Sequence, residues 1–106
     1  MNKDEYLKNF AEFTGKSDEV KKFMQFAQTT FKGKTLDNKT KELIALACGV
    51  VRTCEYCIRA HMGGAIKAGA TEEEIIETLN VTIAMSGGPG IAYSTVAYGI
   101  YKELKG

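Results

Sequence analysis

The chain has 106 residues, 44% of them hydrophobic and 25% charged, with fourteen basic and thirteen acidic side chains for a net charge of +1. That balance predicts a single globular domain over residues 1–106 with a modest core, and it excludes wholesale disorder. A charge so near zero gives no support to nucleic-acid binding, and the longest apolar run, residues 43–51, is too short to span a bilayer.

In chain order, Tyr6, Leu7, Phe10 and Phe13 fall at helical spacing, and Thr14-Gly15 is expected to end that first helix. Ser17 is a candidate N-cap, with Asp18 and Glu19 placed to favour the positive end of a second helix dipole. Val20, Phe23, Met24, Ala27 and Phe31 form the apolar stripe of that helix and read as core. After the loop at Lys32-Gly33-Lys34, Asp37 can cap a third helix running to about Arg52. Its first turn and a half is polar, and the rest is apolar on nearly every side, so the far half is expected to be buried. Cys48, inside that apolar run, reads as core packing.

A break at Thr53 leads to a fourth helix starting at Cys54 and ending at Ala68-Gly69-Ala70, where Gly69 suits a left-handed C′ position. Gly63-Gly64 inside it costs about 1 kcal/mol per residue against alanine, which points to the close approach of another helix. Thr71-Glu72-Glu73-Glu74 is a capping box opening a fifth helix, with Ile75, Ile76, Leu79 and Ile83 on its buried face. Gly87-Gly88-Pro89-Gly90 breaks the chain, and the single proline opens a sixth helix carrying Tyr93, Val96, Ala97, Ile100 and Leu104 on one side. No strand alternation interrupts this series. The fold class is all-α, with five to six helices.

Chemistry concentrates in Cys54-Glu55-Tyr56-Cys57-Ile58-Arg59-Ala60-His61. On one helix, Cys54, Cys57 and His61 at i, i+3 and i+7 share a stripe. Two thiols one turn apart can close into a disulfide, and the chain's only histidine, one turn beyond Cys57, can exchange protons with them. If the third and fourth helices fold back about Thr53, Glu42 comes within reach of His61 directly or through one water. Carboxylate to imidazole to thiol is the order that orients a base and lets it take a thiol proton. The same four side chains could also offer metal ligands, but no second Cys-x-x-Cys or histidine pair completes a zinc pattern, and no metal is expected. Tyr56 is either a hydrogen-bond donor at the site or an exposed helix residue. Three cysteines, an odd count, and a charged start without an apolar leader segment lead us to expect a cytoplasmic protein.

Glu42, eleven residues, Cys54, two residues, Cys57, three residues and His61 resemble the pattern of the alkylhydroperoxidase D family, within the carboxymuconolactone decarboxylase-like superfamily. The flanks at residues 36–47 and 67–75 resemble it too. The resemblance implies an alkylhydroperoxidase D-like helical fold, a homo-oligomer (a trimer or hexamer), and hydroperoxide reduction through a sulfenate and then a disulfide. It implies Cys57 as the peroxidatic thiol, Cys54 as its resolving partner, and Glu42 with His61 as the proton relay. No bound cofactor is implied; the reductant would be an outside dithiol, lipoyl or thioredoxin-like. In the best-known peroxidase members a histidine precedes the second cysteine, and Tyr56 stands there in this chain. The alternatives are a non-catalytic redox-sensing or binding oligomer and a carboxymuconolactone-type decarboxylase. Helix-dipole reasoning favours Cys54 as the more acidic thiol, whereas the neighbouring His61 favours Cys57.

Overall fold

The computed structural model describes residues 1–106 and is helical throughout: α1 (Lys3–Lys16), α2 (Asp18–Phe31), α3 (Asn38–Val51), α4 (Glu55–Lys67), α5 (Glu72–Ser86) and α6 (Gly88–Lys105). The all-α expectation holds, with six helices and no strand. The chain forms two compact units, residues 1–32 and residues 33–106.

The first unit is a pair of helices, α1 and α2. A capping box opens α1, with Asn2 Oδ1 accepting from Glu5 N–H and the Glu5 carboxylate accepting from Asn2 N–H. Gly15 does not end this helix, contrary to the sequence expectation. The helix runs one residue further, and Ser17 terminates it while its Oγ accepts from Val20 N–H to start α2. Neither helix buries a single residue, and Phe13, Phe23 and Phe26 stand 62–64% exposed. The expectation that the second helix's stripe is core is therefore corrected. Val20, Met24, Ala27 and Phe31 are half-buried and Phe23 is not, because two helices alone offer too little surface to cover an aromatic stripe.

The second unit holds the core. Leu46 and Val50 of α3, Ile58 and Met62 of α4, Ile75 and Leu79 of α5, and Ala97 and Ile100 of α6 pack into one cluster. Each pair recurs at three or four residues, so each helix contributes one stripe. That geometry corrects the reading of α3 as buried all round. With Leu46, Gly49 and Val50 turned inward, Ile44, Cys48 and Val51 fall on the outer face and are exposed. Cys48 is therefore a free surface thiol and not a core residue. On α5 the inner face is Ile75, Leu79 and Thr82, with Ile83 half-buried and Ile76 exposed. On α6, Gly90, Ser94, Ala97 and Ile100 face inward, which leaves Val96 and Leu104 outside.

Two connections turn on the same hydrogen-bond pattern. At the end of α4, Ala70 N–H donates to Ala65 C=O and Gly69 N–H to Ile66 C=O, with Gly69 at φ +92°. At the end of α3, Cys54 N–H donates to Gly49 C=O and Thr53 N–H to Val50 C=O. Both are Schellman caps, but in the second the left-handed position is held by Thr53, at φ +52°. A β-branched residue is strained there. The cap delivers the chain from α3 straight to Cys54, the N-cap of α4.

Candidate active site

Cys54 has extended backbone angles (φ −110°, ψ 97°), so it precedes the helix and does not lie on it. The i, i+3 relation to Cys57 survives because N-cap and N3 face each other across the first turn. Cys57 N–H donates to Cys54 Sγ at 3.2 Å, the place a serine or aspartate oxygen takes in an ordinary cap. The two sulfurs are joined as a disulfide, with their Cα atoms 5.3 Å apart. Cys57 is exposed and Cys54 half-buried.

One turn along α4, His61 Nδ1 lies 2.8 Å from Glu42 Oε1 of α3. The pair is sheltered: the His61 side chain is 29% exposed and that of Glu42 14%. With Nδ1–H donated to the carboxylate, the neutral imidazole carries its lone pair on Nε2, which can accept a proton. Cys57 and His61, four residues apart on one helix, have Cβ atoms about 5–6 Å from each other. The expected line of Glu42, His61 and the Cys54–Cys57 pair is thus assembled by the α3–α4 hairpin, and the contact between Glu42 and His61 is direct.

Two glycines make that hairpin close enough. A Cβ on Gly49 would stand 3.3 Å from the Cβ of Cys57 and 3.3 Å from the Ile58 nitrogen, so the bare Cα of α3 backs Cys57 and the first turn of α4. A Cβ on Gly64 would run into the Glu42 carboxylate, 2.6 Å from its Oε1. Gly49 with Cys57 and Glu42 with Gly64 are both symmetric about Thr53, the register a fold-back there requires. Gly63, singled out with Gly64 in the sequence, faces open space. Gly49 and Thr53 were not identifiable as site residues from the sequence; an interior helix glycine eight residues before the second cysteine was the available signal.

Tyr56 is half-buried on α4. Arg59 ties the same helix to α6, its guanidinium 2.8 Å from Glu103 Oε2 and 3.4 Å from Glu55 Oε2. The Glu103 carboxylate, outweighing the cost of partial burial, holds that guanidinium still more firmly in its charged form. No three His, Cys, Asp or Glu side chains gather in a metal-holding cluster. The arrangement can take up and release two electrons at the sulfurs and move a proton at His61.

Comparison with known proteins bears on what this hairpin is. The chain is 36% identical over 84 residues to an uncharacterised protein of the cox locus of Paracoccus denitrificans, covering 79% of this chain and 76% of that one. It is 45% identical over 62 residues to an uncharacterised protein of Methanocaldococcus jannaschii, covering 58% and 60%. Among solved structures, a carboxymuconolactone decarboxylase family protein of Legionella pneumophila superposes with a TM-score of 0.89 at 37% identity, over 94% of this chain and 90% of that one. A Thermotoga maritima member of that family, for which a part in an antioxidative response has been suggested, superposes with a TM-score of 0.84 at 30% identity, over 95% and 90%. The sequence profile of the carboxymuconolactone decarboxylase family matches residues 18–98, a span that takes in Glu42, both bonded cysteines and His61. The chain therefore belongs to the carboxymuconolactone decarboxylase family.

Proposed function

We propose that the protein is a thiol-dependent peroxidase or disulfide reductase of the alkylhydroperoxidase D type. The observation that carries this reading is the disulfide at the start of α4 with a carboxylate-oriented histidine one turn away. The suggested antioxidative role of the Thermotoga maritima relative supports the same direction. Cys57 thiolate attacks the distal oxygen of a hydroperoxide. The O–O bond breaks, Cys57 becomes a sulfenic acid, and an alcohol or water leaves with the proton carried by His61. Cys54 then attacks the Cys57 sulfur, forming the disulfide and releasing water. An outside dithiol, lipoyl or thioredoxin-like, restores both thiols and is itself oxidised to a disulfide; no resident cofactor takes part. Glu42 holds the imidazole in the tautomer that accepts at Nε2. We further propose that the working form is a homo-oligomer, a trimer or hexamer, in the cytoplasm.

The deciding experiment follows hydroperoxide loss with a panel of dithiol reductants in the wild type, Cys57→Ser and Cys54→Ser proteins. Turnover is expected in the wild type and in neither variant. Cys54→Ser should undergo one oxidation at Cys57, trapped as a sulfenic acid by a dimedone-type reagent. A dimedone label found in Cys57→Ser and missing from Cys54→Ser would reverse the two roles. Stoichiometric oxidation without turnover, in a chain with Tyr56 where peroxidases carry histidine, would favour a redox sensor.

A further inference from the structure

The oxidised pair is asymmetric. Cys57 is exposed, while Cys54 is half-buried at the N-cap. Cys54 Sγ is also the sulfur that accepts the Cys57 N–H, at 3.2 Å. On its inner side Cys57 is backed by the bare Cα of Gly49, so an incoming group has the solvent side alone to approach from. Thiol–disulfide exchange needs a thiolate to approach one sulfur in line with the S–S bond, while the other sulfur departs with the electron pair. Accessibility decides which sulfur is attacked, and stabilisation of the departing charge decides which one leaves.

We infer that reduction of this disulfide is one-directional: the incoming thiolate bonds to Cys57 Sγ and Cys54 leaves as the thiolate, held by the Cys57 N–H at the head of α4. The bond from the reductant's sulfur to Cys57 forms as the Cys54–Cys57 bond breaks, and the electron pair of the broken bond stays on Cys54 Sγ. The reductant's second thiol then attacks its own sulfur in the mixed disulfide. That step expels Cys57 thiolate and closes the reductant's disulfide, so two electrons and two protons have moved to the protein. The assignment rests on the reading that an outside dithiol resets the pair. It also separates the two acidity arguments by step: the dipole and cap act on Cys54 as it leaves, and His61 acts on Cys57 when it attacks peroxide.

The test requires no peroxide, so it fails or succeeds independently of peroxidase activity. Oxidised wild-type protein is mixed with excess glutathione, quenched at a series of short times with N-ethylmaleimide, and digested. Fragmentation of the peptide spanning residues 53–59 locates each adduct. Glutathione on Cys57 with maleimide on Cys54 is expected in about tenfold excess at the earliest quench, the ratio that one hydrogen bond to a developing charge sustains. An even distribution, or the reverse one, overturns the assignment. Should back-attack by Cys54 leave too little adduct to map, proteins that keep one cysteine of the pair decide, each also carrying Cys48→Ser to remove the free surface thiol. Glutathionylated Cys57→Ser, which keeps the backbone N–H at that position, should release Cys54 to dithiothreitol about tenfold faster than glutathionylated Cys54→Ser releases Cys57. Equal rates, or faster release of Cys57, overturn the assignment.

Discussion

Thr53 occupies a left-handed position that the corresponding cap at the other end of α4 fills with Gly69. Its Oγ1 donates to the Arg52 carbonyl at 2.7 Å, a local bond that does nothing to relieve the crowding of its Cβ. Strain of this kind costs about 1–3 kcal/mol, against a loss of about 0.5–1 kcal/mol from the extra freedom glycine gives the unfolded chain. Thr53→Gly is therefore expected to stabilise the protein by about 1 kcal/mol, read as a raised urea midpoint with an unchanged slope; a lowered midpoint would refute the strain. Glu42 differs in kind, because its carboxylate orients His61 and does not fill the core. Glu42→Gln should leave the helical content and unfolding midpoint nearly unchanged. It should also slow alkylation of the reduced cysteines near neutral pH on the order of tenfold, as the imidazole loses its orienting partner. A pH–rate profile matching that of the wild type would leave Glu42 as a residue of the helix surface alone.

At the scale of the elements, the α3–α4 hairpin holds the whole candidate site, and much of it was legible in the sequence. The spacing of Glu42, Cys54, Cys57 and His61 required only a fold-back near Thr53, and the caps at Ser17, Asp37 and Thr71 all accept the expected backbone N–H. What escaped reading was which side of an all-apolar helix faces in, because periodicity vanishes when nearly every residue is apolar; Cys48 was misplaced for that reason. Gly49 shows the same limit from the inside. At 3.3 Å from Cys57 and Ile58, a methyl there could be absorbed by a shift of a few tenths of an ångström, but a branched side chain could not. Gly49→Val is expected to lose about 1–3 kcal/mol to overpacking, measured by denaturant unfolding. The α3–α5 contact adds a pH-dependent tie, with Lys39 Nζ 2.8 Å from Glu74 Oε2. The Lys39 ammonium, with the Thr71 N–H second, lowers the Glu74 carboxyl below its usual range, and Glu74 raises Lys39. The carboxylate's share of stability is thus present above the ordinary glutamate range and lost as pH falls through the lowered value. The lysine's share is lost only as pH rises through the raised one. Glu74→Gln should flatten the acid limb of the stability–pH curve and leave the neutral region's slope unchanged; an unaltered acid limb would show that the tie contributes nothing.

At the scale of the molecule, the apolar surface is out of proportion to the core. Nine apolar residues are buried, while fifteen large ones are exposed, among them Val81 at 65% and Met85 at 82% on α5 and Phe23 and Phe26 of α2. Between α5 and α6 an open groove of about 310 Å³ is walled by Ile76, Ile83, Ile91 and their neighbours. No helix is long and apolar enough to cross a membrane. Apolar patches of this extent rarely stay open to water on a small monomer, and burying them at about 25 cal/mol per Å² is the largest favourable term open to association. A second copy of the chain presents the same faces, and closed symmetric assemblies let every subunit cover them at once. Light scattering is accordingly expected to return a multiple of the 11.6 kDa chain mass, three or six on the proposal above. Charged substitutions at the exposed apolar positions, such as Val81→Lys with Met85→Lys, should lower that multiple without loss of helical content if α5 lies in the interface. A single-chain mass for the wild-type protein at micromolar concentration would overturn the oligomer and leave the exposed faces to a different partner.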